Sequence, residues 1–293
     1  MSRPESHRWT HSAFYRFVVL ADPLEAAQAV RALAQGAGLE GSIVLATEGI
    51  SGAVAGSPEN VTRFEEALQD SPSLGEASRG MAFKRSSGRT RPFFRLSVSV
   101  KPEIVALGLP KDSLGDVLEP PNECDDSHVT PAAWRKLLQR SDVVVLDNRN
   151  HFEYRLGHFK TALDPQVHNF RDFVAFVLAQ APAWRQAGQP VAMYCTGGIR
   201  CDKTAPWMRS LGLQVLQLQG GILNYCQQMP DAESEWQGEC FVFDNRIGLD
   251  AQLNETGTAA EQVFDAMHPA EAWRLQRAKR LGMDVFDDPG RGP

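Results

Sequence analysis

Nothing in this chain of 293 residues builds a disulfide scaffold: its five cysteines, at positions 124, 195, 201, 226 and 240, are odd in number, widely scattered and lack any Cys-x-x-Cys pair. Reduced thiols and a cytoplasmic setting are therefore expected, and Cys124, Cys226 and Cys240 are expected to be plain thiols with no metal bound. Long apolar runs are missing too. No stretch approaches the roughly 18 residues that cross a bilayer. Residues 1–10 are polar and carry Pro4 and Trp9, so no leader and no membrane partner are expected. Positive charge is in deficit: 30 Lys and Arg face 36 Asp and Glu, for a net charge of -6. That balance excludes wholesale coating of nucleic acid and argues against a DNA partner, while leaving room for a local basic patch. Neither a GxGxxG dinucleotide loop nor a two-histidine, one-carboxylate spacing is present, so no flavin, haem or non-haem iron cofactor is evident and no metal site is expected.

What the chain does have is Cys195-Thr196-Gly197-Gly198-Ile199-Arg200-Cys201, set between a short apolar run and a helix-like stretch. Two glycines let the backbone curl so that successive N–H groups point inward, and the following helix adds the positive end of its dipole. A thiolate there falls below its free pKa of about 8.5, and Arg200 adds a full charge. Such a cup suits an anion on sulfur, a persulfide or a polarised substrate oxygen.

The chain is long enough for two domains. In the first hundred residues, strand-like segments at 14–20, 41–46, 49–56, 81–85 and 93–100 alternate with helices at 23–35, capped by Asp22, and 58–68, capped by Ser57. That order is the split, ferredoxin-like α+β arrangement. Residues 101–130, rich in Pro, Gly and acid, read as a linker. Beyond it, strands at 142–148, 191–194 and 215–218 alternate with helices at 131–138, 170–178 and 203–211, which implies an α/β domain with a parallel sheet covered on both faces over 131–240. Functional loops belong at the carboxyl ends of such strands, where Cys195 lies. Residues 241–293 form a tail ending in a helix-like stretch, 269–281, with Arg274, Arg277, Lys279 and Arg280, either an RNA-phosphate contact or a solvated face.

Leu146-Asp147-Asn148-Arg149, then Glu153, Gly157-His158-Phe159, the 195–200 loop and Leu218-Gln219-Gly220-Gly221-Ile222 resemble a rhodanese domain. Four residues separate Cys195 from Arg200, one fewer than in phosphatase relatives of that fold, which favours a sulfur-centred anion over a phosphate ester. Taken with residues 41–46, 48–52 and the Gly-Glu-Cys-Phe-Val-Phe-Asp stretch at 238–244, the chain resembles, over roughly residues 13–250, the tRNA uridine hydroxylase family, which joins an acylphosphatase-like domain to a rhodanese domain. The resemblance implies an oxidoreductase of monooxygenase type that converts the wobble uridine of tRNA to 5-hydroxyuridine, with molecular oxygen as co-substrate and an unidentified electron donor. It also implies that Cys195 is the essential cysteine and Cys201 the second loop cysteine. Unlike members with a cysteine-rich metal-binding tail, this chain has no cysteine after Cys240.

On this reading Cys195 is the reactive sulfur, either adding to C6 of uracil or carrying a persulfide. Thr196, Gly197, Gly198, Ile199, Arg200 and Cys201 form the substrate loop, with Cys201 a resolving thiol or a pocket former. Asp147, Arg149 and Glu153 are expected to pair beneath it. His158 reads as structural. Lys84, Arg85, Arg89, Arg91 and Arg95, interleaved with Phe93 and Phe94 around a Gly-containing turn, are candidate RNA contacts, the alternative being a solvated hairpin loop. Two other functions stay open: a thiosulfate-type sulfurtransferase working through a Cys195 persulfide, and a noncatalytic anion-binding module, in which Cys195→Ser would be silent.

Overall fold

The computed structural model describes residues 9–75, 78–109 and 127–286, with side chains to 280. Cys124 and the greater part of the expected linker lie outside these residues. The chain divides into two compact units, with a boundary after Ala106.

The first unit contains β1 (Trp9–Phe17), α1 (Pro23–Gly36), β2 (Glu40–Ala46), β3 (Gly49–Gly56), α2 (Pro58–Gln69), β4 (Phe83–Gly88) and β5 (Leu96–Val100). Both helices start where the sequence places them, since Asp22 accepts from the N–H groups of Leu24 and Glu25, and Ser57 from that of Asn60. The sheet order is β4-β1-β3-β2-β5. Its first four strands have the order of the split arrangement, and β5 adds a fifth strand parallel to β2. Ile43, Leu45, Ile50, Val54, Val61, Phe64 and Leu68 are fully buried between sheet and helices.

Strand β1 begins five residues earlier and ends three earlier than its apolar run suggests. Thr10, His11 and Ser12 are polar yet buried, which conceals the start of the strand, and Ser12 donates to the buried Glu65 carboxylate at 2.5 Å. Past Phe17, Val18 and Leu20 bond instead to the carbonyls of Glu48 and Thr47. Strand β4 pairs only with β1, and β5 only with β2. The segment 89–95 therefore crosses between opposite sheet edges, and the alternative of a hairpin loop does not hold.

The second unit contains β6 (His128–Val129), α3 (Pro131–Leu137), β7 (Val144–Asp147), α4 (His151–Leu156), β8 (Gly157–Phe159), α5 (Phe173–Gln186), β9 (Val191–Tyr194), α6 (Ile199–Ser210), β10 (Val215–Leu218) and α7 (Gly221–Gln228). After these come β11 (Trp236–Gly238), β12 (Cys240–Phe241), β13 (Gly248–Leu249), α8 (Ala260–Val263) and α9 (Pro269–Phe286). Strands β6, β10, β9 and β7 lie side by side in that order, every pairing parallel.

Alternation along the central strand β9 sorts its side chains between two cores. Ala192 and Tyr194 pack with Trp134, Ile222 and Tyr225, whereas Val191, Met193 and then Cys195 pack with Phe173, Val177, Ala205 and Met208. Leu107, in the expected linker, is buried in the latter core. Helix α5 starts after a 3-10 turn at Phe170–Asp172 and continues through Pro182. Helix α6 begins at Ile199, four residues earlier than periodicity indicates, so Arg200 and Cys201 lie in its first turn.

Candidate active site: a thiolate cup at the end of β9

Cys195 follows the last residue of β9 and is fully buried. Gly198 closes the loop with a φ of 103°, open to glycine and costly for any other residue, and its N–H donates to Cys195 Sγ at 3.1 Å. Burial opposes charge on the sulfur. The Cys201 thiol, the Arg200 guanidinium and the backbone N–H groups of Cys201 and Arg200 outweigh that opposition and bring the Cys195 thiol down to about 6. Cys201 shifts the other way: burial and the adjacent Cys195 sulfur push it well above the ordinary thiol range, so it stays protonated and donates to its neighbour. Elsewhere in this unit, burial raises Cys226 to about 12 and drives Cys240 upward as well.

The loop is held from outside by α7. Ile222 N–H donates to the Cys195 carbonyl at 3.0 Å and Leu223 N–H to that of Thr196 at 3.2 Å. Only glycine permits so close an approach, because a Cβ at Gly221 would sit 2.4 Å from the Cys195 carbonyl oxygen. At Gly197, by contrast, a Cβ would meet nothing within 4 Å, so a side chain there would have room.

Two buried ion pairs adjoin the end of β9. Arg200 forks onto Glu153 with bonds of 2.8 and 2.7 Å. Glu153 is fully buried in the first turn of α4 and also accepts from the N–H and side-chain amide of Asn150 at 3.2 Å each. Burial works against its charge, but Arg200 and then Arg149 prevail and hold its carboxyl below the usual range. Asp147 and Arg149, both fully buried, form the second pair at 2.8 and 2.7 Å. Arg149 also donates to the Gly157 carbonyl, and the Tyr194 hydroxyl donates to Asp147 at 2.6 Å. The expected trio thus divides between two pairs, with Arg200 supplying the partner that Glu153 needs.

The two units match two family models: residues 9–104 the UPF0176 acylphosphatase-like domain, and residues 130–228 the rhodanese-like domain. Over 245 residues the chain is 44% identical to the tRNA uridine(34) hydroxylase of Synechococcus elongatus, covering 82% of this chain and 85% of that one. It is 38% identical to the enzyme of the same name from Bradyrhizobium diazoefficiens, over 83% and 92%, and 38% identical to that of Nitrobacter winogradskyi, over 88% and 98%. The chain belongs to the tRNA uridine(34) hydroxylase family.

The candidate RNA cations lie in the other unit. Lys84 and Arg85 are on edge strand β4, with Lys84 5.6 Å from the Tyr15 ring and Arg85 paired with Glu65. Arg91 pairs with Glu40 and lies against the Trp9 and Phe94 rings, while Arg89 and Arg95 are exposed. The basic tail helix is not a uniformly solvated face. Arg274 lies over the Phe152 ring at 5.0 Å, and burial lowers its pKa; Lys279 pairs with Glu261 at 3.3 Å.

Other neighbours of the cup were given no role by the sequence, because they converge from distant segments. Asn148 donates to Thr204 Oγ1 at 2.8 Å and contacts Cys201 Sγ at 3.7 Å. Phe170 and Phe243 lie 5.8 and 5.7 Å from the Arg200 guanidinium. Further out, His168, His268 and Glu271 come within ligand distance of one another. The two imidazoles are stacked at 3.7 Å, which directs their in-plane lone pairs side by side and not toward one ion, and Glu271 is held by Arg155 and the Asp265 N–H. His268 Nδ1 accepts from Ala270 N–H, so this group closes the start of α9. His158 stacks on Tyr154 and bonds its carbonyl, in keeping with a structural role. Glu48, from the 48–52 motif, is buried and accepts from Ile104 N–H at 2.7 Å.

Proposed function

We propose that this protein hydroxylates the wobble uridine of tRNA to 5-hydroxyuridine, with Cys195 as its catalytic residue. The observation that carries the reading is a fully buried thiol brought to about 6 in a cup of backbone N–H groups, within a chain of this family. At neutral pH the sulfur is a thiolate, able to add to C6 of uracil and raise electron density at C5. Replacing the C5 hydrogen by hydroxyl with molecular oxygen consumes two electrons and two protons and yields water, so the reaction is of monooxygenase type and draws on an external two-electron donor. Cys201 donates to the thiolate and thereby sets its charge; Arg200, forked onto Glu153, supplies positive charge and fixes the loop. Lys84, Arg85, Arg89, Arg91 and Arg95 attract the tRNA backbone, Arg85 and Arg91 being shared with carboxylates.

No helix among the described residues is long and apolar enough to cross a membrane, in accord with a cytoplasmic tRNA enzyme. The test is nucleoside mass spectrometry of tRNA from a host lacking its own activity, complemented with this chain or its Cys195→Ala variant. 5-Hydroxyuridine appearing only with the intact cysteine upholds the reading. A second reading, sulfur transfer through a Cys195 persulfide, is favoured by the short four-residue loop. Unchanged tRNA together with sulfur transfer from thiosulfate to cyanide would select it.

A further inference from the structure

Phe243 is a large apolar side chain left 61% exposed beside the buried Arg200 of the cup. It belongs to none of the apolar cores of its unit. Its ring lies 5.7 Å from the Arg200 guanidinium and meets Phe241 edge-on at 4.9 Å. Phe170 approaches the same guanidinium at 5.8 Å, so two rings flank the cation of the cup.

The exposure is built into the backbone. Strands β12 and β13 pair through Cys240 with Leu249 and Phe241 with Gly248, and the connecting turn is closed by Val242 N–H to the Ile247 carbonyl at 2.9 Å. Within that turn Asp244 and Arg246 form a buried pair at 2.6 Å, and Ile247 adopts a φ of 60°, unusual for a β-branched residue. A strained, ion-paired turn that presents an aromatic ring to solvent beside the Arg200 guanidinium is the form of a stacking platform.

We infer that the exposed face of Phe243 stacks on the nucleobase adjacent to the uridine that reacts, a single-stranded RNA subsite at the rim of the cup. The placement follows from depth: Cys195 is fully buried, so the reacting ring must be drawn inward, and an exposed ring beside Arg200 meets the next base along the strand. Stacking is indifferent to base identity, so this subsite contributes affinity and registration. The inference rests on tRNA hydroxylation as the reaction.

The experiment uses the full chain and an anticodon stem-loop RNA carrying 2-aminopurine on either side of the wobble uridine. In a Cys195→Ala background, fluorescence quenching on binding is compared with that of the double variants adding Phe243→Leu or Phe243→Trp. With Cys195 intact, 5-hydroxyuridine formation and the pH profile of Cys195 alkylation are measured for the corresponding single variants. Phe243→Leu keeps the bulk but removes the π face, and is expected to abolish quenching, weaken binding roughly fivefold to a hundredfold and leave the alkylation profile in place. Phe243→Trp is expected to preserve both quenching and turnover. Unchanged affinity in Phe243→Leu, quenching at neither neighbouring base, or a displaced alkylation profile would overturn the inference, the last by showing that Phe243 acts through Arg200. A wild-type chain that forms no 5-hydroxyuridine defeats the hydroxylase reading itself, a result separate from the Phe243 comparison.

Discussion

The rhodanese-like unit buries four charges around its cysteine loop, whereas the N-terminal unit carries its candidate RNA cations on edge strand β4 and the segment after it. Asp147, Arg149, Glu153 and Arg200 lie within the former, each answered by a fork of hydrogen bonds. Lys84, Arg85, Arg89, Arg91 and Arg95 lie on the rim of the latter, where Arg85 and Arg91 meet carboxylates while remaining partly exposed. Buried pairs cost desolvation and are intolerant of losing one partner, so they hold a geometry; exposed pairs contribute about 0–1 kcal/mol and are readily exchanged for a phosphate. Charge of the first kind tunes a sulfur. Charge of the second kind suits a polyanion that must bind and leave.

The largest effect expected from breaking this contrast is at the sulfur: Cys195→Ala should reduce 5-hydroxyuridine in tRNA to background, as read by nucleoside mass spectrometry. Next, Arg149→Met, which strands Asp147 in the core, should lower unfolding free energy by about 3–5 kcal/mol in denaturant titration. If Arg149→Met loses no more stability than Arg91→Ala, the division between buried and rim charge collapses.

Arg200→Lys retains charge but cannot fork onto Glu153, and should reduce single-turnover hydroxylation by roughly tenfold to a hundredfold. Smaller still is the effect at Cys201. Cys195 alkylation by iodoacetamide should rise with pH through about 6, because the thiolate is the nucleophile and protonation below that value removes it. Cys201→Ala deletes a donor to that thiolate and should move the profile upward toward the ordinary thiol range, slowing alkylation at pH 6. At the N-terminal rim, Arg95→Ala should weaken tRNA binding modestly and lower the salt slope by about one, with hydroxylation at saturating tRNA unchanged.

Residues 195–201 were legible as an anion-cradling loop because cysteine, two glycines and arginine in that order have few other physical uses at a strand end. The caps Asp22 and Ser57 were equally plain, since each satisfies helix N–H groups a few residues away. The beginning of β1 was not, because the polarity of Thr10, His11 and Ser12 is answered within the fold, for Ser12 by Glu65, 53 residues distant. Likewise the start of α6 at Ile199 was hidden, since its first turn is shaped by the loop and not by an apolar stripe.

The amino-acid order by itself determined the two-unit organisation, the alternation of strands and helices and the position of Cys195 at a strand end, all properties of local spacing. Tertiary structure decided how charge is distributed: that Arg200 answers Glu153, that Asp147 answers Arg149, that β4 and β5 occupy opposite sheet edges, and that Phe243 stands beside Arg200. Local spacing constrains backbone conformation within a few residues. The choice of electrostatic partner depends on which distant groups are desolvated together, and packing alone settles that.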